Sequence, residues 1–268
     1  MSSRHSGRHQ SSPPLRGATL ILTRSAGSAR TEARHVRALG GTPLLLPGTR
    51  IAPPQDRSAA RSALVAALSA PVCIFASPAA VRMARSMSLD RPDRGTRVLA
   101  VGAATARALH RAGVRGICVP SRADSEGLLA LPVLSRPPSR VGLVGAPGGR
   151  ELLPRVLAER GARVLHAGVY QRLPARLDRR HHHALAQMQY PAYVLISSLD
   201  ALGNLMQQLP AAARARLMSA TAIVSSPRLA AAVRAAGFMH VQQARSALSQ
   251  DMLAAACASH VHRRSGSG

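Results

Sequence analysis

Six times along this chain a short apolar run ends in a small or hydroxyl residue and passes directly into a helical pattern. Ala18–Thr23 leads into Ser28–Gly40, where Ala29, Ala33, Val36 and Leu39 keep helical spacing. Gly40-Gly41 stops that helix, and Leu44-Leu45-Leu46 starts the next strand before Pro47. Val72–Ala76 leads through Ser77-Pro78 to a helix ending at Met87, and Arg97–Val101 through Gly102 to one ending at Ala112. Val141–Val144 leads through Gly148-Gly149 to a helix ending at Arg160. Ala192–Ile196 then opens a helix at Ser197-Ser198, and Thr221–Val224 opens one at Ser225-Ser226. Strands that are apolar throughout, rather than alternating, need cover on both faces. Crossover helices between parallel strands supply that cover.

The pattern also repeats over a longer distance. Leu20–Arg50 lies over Val141–Gln171 without a gap at a shift of 121 positions, and Phe75-Ala76-Ser77 meets Ile196-Ser197-Ser198 at the same shift. Further on the shift becomes 124, where Gly113 meets Gly237 and Ser125-Glu126 meets Ser249-Gln250. The expected fold is therefore α/β, with two similar parallel-sheet lobes in place of one long sheet.

Composition narrows the function. There are 36 Lys plus Arg, every one of them Arg, against 11 Asp plus Glu, for a net charge of +25. Three readings fit: a compositional habit of Arg and Ala, a positive field serving a small polyanionic ligand, or a nucleic-acid surface. The five aromatics, Phe75, Phe238, Tyr170, Tyr190 and Tyr193, are too few for a base-stacking platform, which makes nucleic acid the weakest of the three. No apolar run reaches the ~18 residues of a membrane helix, and no export signal is evident, so a cytoplasmic protein is expected. Cys73, Cys118 and Cys257 are odd in number and lack CxxC spacing, which supports neither a disulfide framework nor a zinc site.

Chemistry is expected where strands hand over to helices. Thr23-Arg24, Ser77-Pro78, Gly102 with Thr105, Gly148-Gly149-Arg150, Ser197-Ser198 and Ser226-Pro227-Arg228 all stand at such points. Unpaired backbone N–H groups at a helix start attract anions, and ligands of open α/β sheets bind at the carboxyl ends of the strands. The bland alternative at each position is that Ser and Gly only cap helices. No GxxxxGK[ST] loop, GxGxxG turn or GxSxG elbow is present. The acids are spread out, and Asp124 and Glu126 read as ordinary helix-start residues. His181-His182-His183 reads as a solvated loop, because consecutive residues do not converge on one metal. Tyr170 stands apart from the other tyrosines, at a strand end on a lobe boundary; packing there is its alternative role.

Taken in order, these pieces resemble the uroporphyrinogen-III synthase family. The resemblance is carried by Leu22-Thr23-Arg24, Leu39-Gly40-Gly41 with Leu46-Pro47, Ile74-Phe75-Ala76-Ser77-Pro78, and Val101-Gly102-Ala103-Ala104-Thr105. It continues through Ser125-Glu126-Gly127-Leu128-Leu129, Gly149-Arg150-Glu151-Leu152-Leu153, Tyr170-Gln171-Arg172, Ser197-Ser198, Ser226-Pro227-Arg228 and Gly237-Phe238. It spans Ala18 to Cys257. Ser25 departs from it, since the family usually places Pro after the first-strand Arg.

The resemblance implies two α/β lobes joined by a two-stranded connector, with the active site in the cleft between them. Lobe 1 would comprise 18–48 plus 173–258 and lobe 2 would comprise 51–167. Residues 1–17 and 259–268 are expected as disordered tails. It implies cyclisation of hydroxymethylbilane with inversion of ring D and loss of water, giving uroporphyrinogen III, with no cofactor and no metal. Tyr170 would be the catalytic residue. Arg24, Ser77, Gly102, Thr105, Gly149, Arg150, Ser197, Ser198, Ser226 and Arg228 would bind substrate. A monomer with at most transient contact with hydroxymethylbilane synthase is implied, with neither membrane nor nucleic acid as partner. The alternative is a two-lobed sensor that binds an anionic small molecule without reacting it.

Overall fold

The computed structural model describes residues 12–87, 92–148 and 151–265, with only the backbone of 264 and 265. The chain begins β1 (Thr19–Leu22), α1 (Ala26–Ala38), β2 (Thr42–Leu45), β3 (Thr49–Ala52), α2 (Arg57–Leu68), β4 (Val72–Phe75) and α3 (Pro78–Arg85). It continues β5 (Arg97–Ala100), α4 (Ala103–Arg111), α5 (Ser125–Leu129), α6 (Pro132–Ser135), β6 (Arg140–Gly145), α7 (Leu152–Glu159) and β7 (Arg163–Gly168). The remainder is β8 (Gln171–Pro174), α8 (Arg179–Ala186), β9 (Ala192–Ile196), α9 (Leu199–Gln208), α10 (Ala211–Met218), β10 (Thr221–Val224), α11 (Pro227–Ala235), β11 (Val241–Gln243) and α12 (Ser249–Ser265). No described helix is long and apolar enough to cross a membrane.

The described residues gather into two compact units, one drawn from 1–50 with 173–268 and the other from 51–172. The first holds a sheet of order β11-β10-β9-β1-β2 and the second one of order β5-β4-β6-β7, all parallel. Strands β3 and β8, where the chain passes between units, pair as a two-stranded sheet.

Register shows that the two sheets are copies. Ile21 pairs with Val194 and Leu44, and at the shift of 121 Gly142 pairs with Cys73 and Leu165. Ile223 pairs with Leu195 and Gln242; in the other sheet Leu99 pairs with Ile74 and bridges to Cys118. The copies have exchanged a piece. Strands β1 and β2 from the first repeat complete the sheet of β9–β11, and β6 and β7 from the second complete that of β4 and β5.

Each sheet is covered twice, as its apolar strands require. In the first unit Leu20, Leu22, Tyr193, Leu195 and Ile223 pack under α1 and α12, while Ile21, Val194, Ile196, Ala222 and Val224 pack under α8–α11. In the second, Cys73, Phe75, Val98 and Val144 face α2–α4, and Val72, Ile74, Leu99, Val141 and Leu143 face α5–α7. Helix α2 lies so close to its sheet that a side-chain Cβ at Gly142 would stand 2.1 Å from the Ala67 carbonyl oxygen. Only glycine fits there.

Two expectations are corrected. Residues 259–268 are not a tail as far as Ser265, because α12 runs through that point with His260 buried. One His260 ring nitrogen lies 3.3 Å from the Tyr193 hydroxyl and the other 3.1 Å from the Arg16 carbonyl oxygen. A polar residue thus continues the inward line of Met252 and Ala256, which hides the helix from apolar periodicity. At the other end Leu15, inside the expected first tail, is fully buried. Second, His181-His182-His183 belong to helix α8 and not to a loop. Asp178 caps that helix, accepting from the Arg180 and His181 N–H groups, while the His181 ring nitrogen lies 2.6 Å from its carboxylate. These bonds, the His181 backbone first, hold the exposed Asp178 carboxyl below its usual pKa.

Candidate active site

The expected contacts fall at the carboxyl edges of the two sheets. Arg24, Ser197, Ser198, Ser226 and Arg228 lie past the ends of β1, β9 and β10 in the first unit. Ser77, Gly102, Thr105 and Tyr170 lie past β4, β5 and β7 in the second. Gly149 and Arg150 lie outside the described residues.

In the second unit Ser77 does two things. Its hydroxyl oxygen accepts from the Ala80 N–H at 3.1 Å, capping α3, and lies 3.1 Å from the Tyr170 hydroxyl. Tyr170 stands two residues past the end of β7 and is 2% exposed, its ring packed in the cluster that holds Phe75, Ala80 and Val81. The guanidinium carbon of Arg172 lies 6.0 Å from the centre of that ring. A phenol is thereby fixed by its ring while its hydroxyl meets the serine that caps a helix start.

Gly102 opens α4 without a side-chain cap. A Cβ there would stand 2.8 Å from that of Ala123, so the loop before α5 closes on the position, and among the described residues no side chain caps the first N–H groups of α4. Thr105 is buried inside α4, with its N–H bonded to the Gly102 carbonyl at 3.0 Å. Its side chain packs instead of facing outward.

The first unit carries similar starts. Ser198 caps α9 through the Ala201 N–H at 3.4 Å, and Ser226 caps α11 through the Leu229 N–H at 3.3 Å, with Arg228 exposed beside it. Thr23 locks β1 to β9, its hydroxyl donating to the Leu195 carbonyl at 2.6 Å. Arg24 follows, with one Nη donating to the Ala247 carbonyl and Nε 3.9 Å from Glu32. In the sequence Glu32 is one of several scattered acids. The available signal was its place on the inward stripe of α1 with Ala29, Ala33 and Val36.

One parallel α/β sheet built twice, with a segment exchanged between the copies, defines a two-unit α/β protein of swapped-repeat construction. Within that class the chain belongs to the uroporphyrinogen-III synthase family: the family described as Uroporphyrinogen-III synthase HemD matches residues 31–254. The chain is 28% identical over 243 residues to the uroporphyrinogen-III synthase of Escherichia coli strain K12, covering 88% of this chain and 99% of the relative. It is 29% identical over 248 residues to that of Salmonella typhimurium, with the same coverage. Among solved structures it resembles a mutant uroporphyrinogen III synthase from the extremely thermophilic bacterium Thermus thermophilus, with a TM-score of 0.56 at 22% identity over 92% of this chain and 99% of that one. The Helicobacter pylori uroporphyrinogen-III synthetase gives 0.56 at 13% identity over 90% and 99%. At such identities these two structures speak to the fold alone.

Proposed function

We propose that this chain closes hydroxymethylbilane to uroporphyrinogen III, with Tyr170 as the group that acts on the leaving hydroxyl. The observation that carries the reading is the Tyr170 hydroxyl, held 3.1 Å from the Ser77 oxygen at the start of α3. In this reading the phenol donates its proton to the hydroxymethyl oxygen, which departs as water and leaves an azafulvenium cation. The substituted position of ring D attacks, and the resulting spiro intermediate fragments and recloses. The ring carbon that closes the macrocycle gives up one proton, so the balance is loss of water.

Uncatalysed closure gives the uninverted isomer, so most of the protein's work is conformational: it holds the chain with ring D turned. The substrate's acetate and propionate carboxylates match helix starts and arginine. On the first unit these are Arg24, Ser197, Ser198, Ser226 and Arg228; on the second, Ser77 and Gly102, with Gly149 and Arg150 assigned from the family resemblance. Binding shared over many groups makes no single contact indispensable. The same reading has the protein act as a cytoplasmic monomer that meets hydroxymethylbilane synthase only transiently.

The test is a coupled assay in which hydroxymethylbilane is supplied by its synthase, the products are oxidised and the isomers are separated. Type III in excess over type I supports the reading; the uncatalysed ratio refutes it.

A further inference from the structure

Glu32 is the anomaly of the first unit. It is 1% exposed, neither carboxylate oxygen has a partner at full hydrogen-bond geometry among the described residues, and burial pushes its pKa up, with Arg24, a looser hydrogen bond from the Ser249 hydroxyl and His35 pulling the other way.

The fold does not ask for a carboxylate there. At the shift of 121 that the strand registers obey, Glu32 corresponds to Leu153 and Arg24 to Gly145. Leu153 is buried on α7 against the cluster containing Leu128 and Leu129. At the shift of 124 those leucines correspond to Met252 and Leu253 of α12, in the cluster beneath α1. One copy thus fills the position with an apolar side chain and the other with a charge. Apolar replacement of a buried ion pair is often neutral or stabilising, so stability does not account for Glu32.

Its effect on Arg24 does. The arginine stands past the end of β1, its Nε facing Glu32 at 3.9 Å and one Nη bonded to the Ala247 carbonyl. One hydrogen bond anchors that Nη, and the carboxylate 3.9 Å from Nε adds a charge contact that biases which way the guanidinium turns. Its other Nη has no partner among the described residues, and the side chain is 28% exposed. We propose that Glu32 is a positioning residue, orienting the Arg24 guanidinium so that its unoccupied Nη is presented to a substrate carboxylate. This rests on Arg24 being a substrate contact, as proposed above.

The experiment measures kcat, KM and melting temperature for the wild type, Glu32→Leu, Arg24→Gln and the double variant, with hydroxymethylbilane as substrate. Arg24→Gln should raise KM about tenfold, the size of one charge-assisted hydrogen bond. Glu32→Leu should raise KM about three- to tenfold with kcat within about twofold, melt no lower than wild type, and add nothing in the double variant. A structural role predicts the reverse, a lower melting temperature with KM unmoved, and that result overturns the proposal. Penalties that add in the double variant overturn it too. If Arg24→Gln raises KM while Glu32→Leu does not, Glu32 loses its role and Arg24 keeps its own. If Arg24→Gln leaves KM unchanged, the Arg24 contact falls and the proposal with it. Should Glu32→Leu fail to fold, Glu32→Gln takes its place with the same expected KM shift.

Discussion

Replacing Ser77 by alanine should destabilise this protein more than the same change at the other two capping serines. All three accept from the backbone three residues on, at 3.1 Å for Ser77, 3.4 Å for Ser198 and 3.3 Å for Ser226. Loss of such a cap costs about 1 kcal/mol. Ser77 alone also meets a buried tyrosine hydroxyl, and stranding that group adds roughly 1–3 kcal/mol. The total, about 2–4 kcal/mol, lowers the melting temperature by roughly 2–4 °C per kcal/mol in a protein of this size. Ser198→Ala and Ser226→Ala should each shift it by only about 2–4 °C. Tyr170→Phe removes the stranded hydroxyl, so Ser77→Ala made in that background should cost no more than a cap. Thermal melts of these variants against wild type decide it. If Ser77→Ala matches the other two alanine variants, or if its penalty is undiminished in the Tyr170→Phe background, the hydroxyl pair contributes nothing and Ser77 does not hold the Tyr170 hydroxyl in place.

In turnover assays Tyr170→Phe should be slower than any of Ser77→Ala, Thr105→Ala or Ser198→Ala; equal and negligible losses in all four would remove Tyr170 from its role. The pKa of Glu32 lies above the ordinary 4.5, chiefly through burial, so the native state holds that proton longer than the unfolded chain does. Wild-type stability relative to Glu32→Gln should therefore fall as pH climbs from 4.5 through the raised value and then level off. Melting curves across that range that keep a constant difference would contradict it. Burial pushes the Cys73 thiol up to about 12, so a thiol reagent at neutral pH should leave it unmodified in the native protein and reach it after unfolding, as mass spectrometry of the labelled peptide would report. Substituting His260 by alanine should remove two hydrogen bonds, one to the Tyr193 hydroxyl and one to the Arg16 carbonyl, costing about 1–3 kcal/mol, and should raise amide exchange along the last turns of α12.

Much of the fold was legible because its strands are apolar on both faces. Ala192–Ile196 and Thr221–Val224 have the bounds that their apolar runs gave. The gapless shift of 121 reappears as identical register, since a strand slipped by one residue would turn its whole apolar set the wrong way. The exchange of segments was not legible from repeats, because each copy contains every strand needed to close its own sheet; it came from the family resemblance. Polar closure was equally hidden. His260 and Glu32 occupy inward helix positions that periodicity assigns to apolar side chains, and only their surroundings reveal what they do. At the candidate site, residue types at the strand ends were readable, but the meeting of Ser77 with Tyr170, far apart in sequence, required the sheet order.

The exchange also sets an order of assembly on the ribosome. Unit 51–172 is a single stretch of chain and holds every strand of its own sheet, so it is ready to close as soon as it has been made. Strand β1 emerges first, yet its central neighbour β9 lies 173 residues later, at Thr19 opposite Ala192. At typical elongation rates that is a delay of roughly 9–35 s, during which an apolar strand has no neighbour on one edge. Newborn chains should accordingly be most prone to capture by chaperones in that interval, and a translational pause before β9 would lengthen the exposure.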